Sequence, residues 1–140
     1  MSTKQRLVIS VVLTTGIGLL VLAGLFAGGS ENDITVTGNP AIDELIPARE
    51  SEILQRDQVG IDLAVGFEAA LTIESGGQST PVPADQLDTN QRALGRFLFR
   101  PGEDRVIEAF APQSNCVIAT YWPVEDRDDV RTIRWCFEVL

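Results

Sequence analysis

Residues 114–140, SNCVIATYWPVEDRDDVRTIRWCFEVL, decide the fold. Two alternating apolar runs flank a proline-containing acidic stretch, the pattern of two β-strands joined by a turn. In the second run Ile133, Trp135, Phe137 and Val139 share one face, while Thr132, Arg134, Cys136 and Glu138 share the other. Placing Cys116 directly opposite Cys136 sets Ile118 against Arg134, Thr120 against Thr132 and Trp122 against Val130. On the apolar face it sets Val117 against Trp135 and Ala119 against Ile133. A threonine pair and an aromatic beside a β-branched residue are favoured cross-strand neighbours, and a slip of one residue would put the cysteines on opposite faces. The predicted loop is PVEDRDD, and the predicted bond is a disulfide between Cys116 and Cys136.

The alternatives for those cysteines fit less well. The chain has no histidine, so two sulfurs lack the further ligands of a structural zinc site, and there is no CxxC redox motif. The disulfide then implies an oxidising compartment.

The rest of the chain agrees. Residues 7–27, LVISVVLTTGIGLLVLAGLFA, are 21 in a row without a charge. As a helix rising about 1.5 Å per residue they span roughly 31 Å, a bilayer's hydrocarbon thickness. A cleaved signal peptide competes: Lys4 and Arg6 precede the run, and Ala23, Ala27 and Gly28 are small. The run is longer than the usual h-region of about 7–15 residues, which favours an anchor; if it is cleaved, the remainder is secreted. A lipoprotein anchor is excluded, because no cysteine follows the run. Lys4 and Arg6 before the run, with Glu31 and Asp33 after it, orient the N-terminus to the cytoplasm. The expected organisation is a cytoplasmic N-terminus (1–6), a transmembrane helix contacting lipid (7–28), a linker (29–40) and one extracytoplasmic domain (41–140).

All 20 acids follow the apolar run, against nine arginines, so the exported part carries a net charge of −11. That excludes nucleic acid as a partner and favours solubility, cationic partners or loosely held divalent ions.

Within the domain, VGIDLAV (59–65) and FEAALTI (67–73) alternate, and SGGQS (75–79) reads as a hairpin turn. Pro47 makes 42–54 a short edge strand or turn, Pro83 starts one or two helical turns, Phe97 and Phe99 share a strand face, and RVIEAFAP (105–112) reads as a further strand. Six or seven short strands make an all-β domain, an Ig-like antiparallel β-sandwich.

Catalysis is poorly provided for. Without histidine there is no Ser-His or Cys-His nucleophile, no phosphate-binding glycine loop is present, and no pair of carboxylates stands out by position. The chain reads as a non-enzyme without cofactor or metal. Its candidate contact residues for a protein partner are Ile118 and Trp122, on the outer face of the predicted hairpin; the other reading packs Trp122 beneath the loop. Glu125, Asp126, Asp128 and Asp129 are the candidate weak cation site, without EF-hand spacing. The preferred role is therefore a binding or scaffolding module, an accessory subunit of a membrane complex. The alternative is a carrier or sensor of cations using the acidic surface.

The tail CVIATYWPVEDRDDVRTIRWCFEV resembles the last hairpin of the Ig-like envelope domains of the bacterial copper-resistance periplasmic family, ending in the pattern of Phe137 and Val139. NPAIDELIPARESEIL is similar, more loosely, to that family's first strand. The resemblance implies an Ig-like sandwich. It departs at the metal, which that family holds through histidines. The whole chain also resembles single-pass envelope proteins of bacteria.

Overall fold

The computed structural model describes residues 38–140. The expected membrane segment, 7–28, lies outside the described residues; among those described, no helix is long and apolar enough to cross a membrane.

Eight strands carry the domain: β1 (Ile42–Ile46), β2 (Glu52–Ile53), β3 (Val59–Leu63), β4 (Phe67–Ser75), β5 (Gln78–Pro81), β6 (Arg96–Phe99), β7 (Gln113–Pro123) and β8 (Arg131–Val139). They form a three-stranded sheet in the order β1-β3-β6 and a five-stranded sheet in the order β2-β8-β7-β4-β5. Every pairing is antiparallel except that of β2 with β8. Strict alternation in β4, β7 and β8 turns Ala69, Leu71, Ile73, Val117, Ala119, Tyr121, Ile133, Trp135, Phe137 and Val139 inward against Val59, Ile61, Leu63, Phe97 and Phe99. Fully burying side chains of this size stabilises the fold by about 1.5–3 kcal/mol each. Phe110 packs edge-on against Phe137 at 5.4 Å, and Phe67 against Tyr121 at 6.3 Å.

β1 lies at a sheet edge, as Pro47 requires, but its burial does not alternate. A bulge between Ile42 and Glu44 lets Ile42 and Leu45 both face inward while Asp43 and Glu44 are both exposed. In the next strand Gly60 sits where a Cβ would strike the Phe97 carbonyl and the Leu98 Cα, so only glycine allows β3 and β6 to approach. The β4–β5 hairpin closes through Gly76 and Gly77, both at positive φ, as two-residue turns of this kind demand.

The helical turns expected near Pro83 are a 3-10 turn (Ala84–Gln86) and a four-residue helix, α1 (Thr89–Arg92). The Asp88 carboxylate caps α1 by accepting from the Asn90 and Gln91 amides at 3.0 and 3.4 Å.

Residues 105–112, expected as a strand, are irregular. Their buried residues, Ile107 and Phe110, are three apart, so one extended segment would not put both inward. The segment is instead held by the Phe110 amide donating to the Gln55 carbonyl (2.9 Å) and the Val106 amide donating to Gln86 Oε1 (2.9 Å). Buried Asn115 secures its far end by donating to the carbonyls of Ala111 and Gln113 at 2.8 and 3.2 Å.

Candidate functional site

The β7–β8 ladder has the expected register: Cys116 faces Cys136, Val117 Trp135, Ile118 Arg134, Ala119 Ile133 and Thr120 Thr132. The cysteines form a disulfide, with Cα atoms 4.0 Å apart. The ladder ends at Tyr121 and Arg131, one rung before the expected pairing of Trp122 with Val130. Trp122 lies opposite Glu68 on the other side, and the loop runs from Val124 to Val130 rather than 123–129. The Val124 amide donates to the Gly66 carbonyl at 2.9 Å, which draws the loop toward β4.

With the core residues inward, the even-numbered residues of β4, β7 and β8 form the outer face of the five-stranded sheet. Its rows run Glu74–Cys116–Cys136, Thr72–Ile118–Arg134, Ala70–Thr120–Thr132 and Glu68–Trp122. Cys116 is buried although it lies on this face. Arg134 on β8 reaches across the intervening β7 to Glu74 on β4, its Nε and Nη2 donating to Oε2 at 2.9 and 2.7 Å. This ion pair links the two strands flanking β7 and was not legible in the sequence, because the partners are 60 residues apart. A second cover comes from the 49–51 segment: the Glu50 amide donates to the Cys136 carbonyl at 2.8 Å, and Arg49 donates to the Arg134 carbonyl at 2.8 Å.

Ile118 and Trp122 lie two rungs apart along β7 on the outer face, each half-buried. Val124 and Val130 beyond them are exposed. At the borders of this field, Glu68 pairs with Arg92 at 2.8 Å. Asp129 pairs with Arg131 at 2.8 Å, and its hydrogen bond and charge raise the pKa of the Arg131 guanidinium above its ordinary value.

The acidic loop folds on itself. Asp126 Oδ1 accepts from the Asp128 amide at 3.2 Å, and the Asp129 carboxylate is taken by Arg131. Among the described residues no three His, Cys, Asp or Glu side chains gather as a metal-binding group, so Glu125, Asp126, Asp128 and Asp129 are neighbours in sequence without converging on one point.

A shallow groove of about 410 Å³ lies on the other sheet's side, lined by Gln58, Asp85, Gln86, Asp88, Leu98, Arg100 and Arg105 among others. Four of its polar side chains are already engaged: Asp88 as the helix cap, Gln86 accepting from the Val106 amide, Arg100 donating to the Arg56 carbonyl at 3.3 Å, and Arg105 donating to the Gln86 carbonyl at 2.8 Å.

The described residues thus form a three-plus-five β-sandwich closed at its last hairpin by a disulfide. Among solved structures that fold is similar to CopC from Methylosinus trichosporium OB3b, with 10% identity and a TM-score of 0.51, covering 70% of this chain and 90% of that one. PcoC, a methionine-rich copper resistance protein from Escherichia coli, is 14% identical over 73% of this chain and 99% of that chain, with a TM-score of 0.48. No family model matches the chain, and no curated protein does. At this identity the likeness to CopC shows the fold, and it agrees with the resemblance carried by the tail hairpin.

Proposed function

We propose that this protein is a membrane-anchored extracytoplasmic binding or scaffolding module, an accessory subunit of a membrane complex. Residues 7–28 hold it in the bilayer with the N-terminus cytoplasmic, and the sandwich meets a protein partner through the outer face of its five-stranded sheet. One observation carries the reading: Ile118 and Trp122 stand in line on that face, with exposed Val124 and Val130 beyond them, on a frame closed by a disulfide. Apolar groups clustered on an otherwise charged surface mark contact sites, and tryptophan is enriched where contacts are strongest. The disulfide supports an oxidising location.

Copper, named for PcoC, does not fit the residues present. The chain has no histidine, its single methionine is Met1, and both cysteines are consumed in their mutual bond. The described domain is left with hard oxygen donors, which suit neither copper(I) nor the imidazole-rich sites of copper(II). The cation-carrier alternative has less support than the binding reading, because two of its four candidate carboxylates are engaged, Asp126 by the Asp128 amide and Asp129 by Arg131 of β8.

The test is photocrosslinking in native membranes, with a photoreactive side chain at Trp122 in the full chain and a control at exposed Arg100 on the other sheet's side. A discrete protein adduct from position 122 and none from 100 is expected. Equal labelling from both positions, or none, would remove the reading.

A further inference from the structure

We infer that one end of the sandwich docks on the lipid surface: the turns joining β3 to β4 and α1 to β6, led by Val65 and Leu94, enter the headgroup layer of a zwitterionic bilayer. This builds on the proposed anchoring of residues 7–28 and adds a second, separate contact with the membrane.

Four of the seven exposed large apolar residues in the described chain gather at this end. Val65 is 95% exposed and Leu94 65%, with Val124 and Val130 in the neighbouring loop. Hydrogen bonds between the turns fix the grouping. The Leu63 amide donates to the Gly95 carbonyl at 2.9 Å, and the Val124 amide to the Gly66 carbonyl at 2.9 Å. Gly66 and Gly95, both at positive φ, follow Val65 and Leu94 directly, so each apolar side chain stands at a tight turn.

Exposure alone does not choose this end, because Leu54 and Leu140 are also exposed and lie toward the other, where the Leu140 amide donates to the Ile53 carbonyl at 3.1 Å. Connectivity does. The Ala64 amide donates to the Ala41 carbonyl at 2.9 Å, and Asn39 Nδ2 donates to the Tyr121 hydroxyl at 2.8 Å, so the chain enters the domain beside Val65. Residues 29–37 can reach at most about 30 Å. β4 runs nine residues from beside Gly66 to Ser75, roughly 30 Å at 3.3 Å per residue. The Val65 end therefore meets the bilayer with the tether slack, whereas the Gly76–Gly77 turn could meet it only with the tether drawn out fully.

The charges select the lipid. Asp62, Glu68 and Asp129 are paired near this end with Arg96 (3.0 Å), Arg92 (2.8 Å) and Arg131 (2.8 Å). Asp43, Glu125 and Asp128 carry no ion pair among the described residues. A dry apolar partner would strip water from these carboxylates without return. The headgroup layer is wet, and it takes apolar side chains at the acyl boundary while charged groups stay above. Unpaired carboxylates match the ammonium of phosphatidylethanolamine and are repelled by an anionic surface. So few side chains hold weakly, and the anchor supplies the effective concentration.

The experiment uses the full chain in vesicles of phosphatidylcholine and phosphatidylethanolamine, with a photoreactive side chain at position 65, at 94 or, as control, at exposed Gln78 beyond the far turn. Lipid adducts from 65 and 94 should exceed those from 78 at least about tenfold. Val65→Asp should cut the adduct from 94 at least about fivefold, while Val65→Leu retains it. An intact disulfide and an unchanged melting temperature verify each variant's fold. Phosphatidylglycerol in place of phosphatidylethanolamine should lower the yield about fivefold, and Glu125→Gln with Asp128→Asn should restore it. Equal lipid yields from all three positions, indifference to Val65→Asp, a rise with phosphatidylglycerol, or adducts between copies of the chain in place of lipid would each overturn the inference. A chain that alkaline carbonate washes off the vesicles sinks the anchoring reading and this inference with it. A chain that stays but gives no lipid adduct from 65 and 94 sinks the inference alone.

Discussion

Replacing Cys116 and Cys136 together by alanine removes a cross-link between residues 20 apart in sequence. On the chain-entropy model, closing a loop of that length restricts the unfolded chain by about 3 kcal/mol at 25 °C. Both residues lie on the outer face, outside the hydrophobic core cluster, so the lost folded-state contacts are confined to the buried Cys116 sulfur and its surroundings. For a domain of about 100 residues, each kcal/mol moves the melting temperature by roughly 4–8 °C, so a fall of about 12–24 °C is expected. The assay is urea denaturation of the full chain in detergent, comparing the C116A/C136A variant with the oxidised parent and with the parent under reductant. The variant and the reduced parent should agree within about 1 kcal/mol, since both lack the same constraint. Intact mass should also rise by two hydrogens on reduction. A loss below about 1 kcal/mol with an unchanged denaturant slope would refute the reasoning; it would mean that hairpin contacts already restrict this loop in the unfolded ensemble.

Three further outcomes follow from specific contacts. Gly60→Ala forces a methyl group onto the backbone of Phe97 and Leu98, which cannot rotate away, and should cost at least about 2 kcal/mol by chemical denaturation. Trp122→Ala and Trp135→Ala should separate cleanly: the buried Trp135 costs about 3–5 kcal/mol, whereas half-buried Trp122 costs less than 2 kcal/mol but abolishes the membrane adduct captured from position 118. Calcium at millimolar concentration should leave the melting temperature unmoved, because the loop carboxylates do not converge; a saturable upward shift lost in D126N/D128N would restore the cation reading.

Much of the tail was legible because several local constraints agree. Alternation chose the faces, and the cysteines had to share one, so a single register also paired Thr120 with Thr132 and brought Trp135 inside. The signal failed where geometry is not periodic. Asp43 and Glu44 are both outside because a bulge inserts a residue, which alternation cannot encode. Residues 105–112 looked like a strand from their apolar content, yet Ile107 and Phe110 lie three apart and enter the core from a bend. Of the candidate site, Ile118 and Trp122 were readable from parity alone. The four acids of the loop were also readable, but their failure to converge depends on Asp126 turning onto the Asp128 amide and Asp129 onto Arg131.

By itself the sequence determined the strand-rich class, the disulfide, the exclusion of histidine chemistry and the acidity of the chain after residue 30, all of which follow from composition and short-range spacing. Only the tertiary structure decided which charges cancel. Arg134 meets Glu74 across an intervening strand, and Arg92 meets Glu68 from a helix 24 residues away. Net charge is a sum over the chain, whereas recognition depends on which charges remain unpaired at one surface, and that pairing exists only once distant strands are brought side by side.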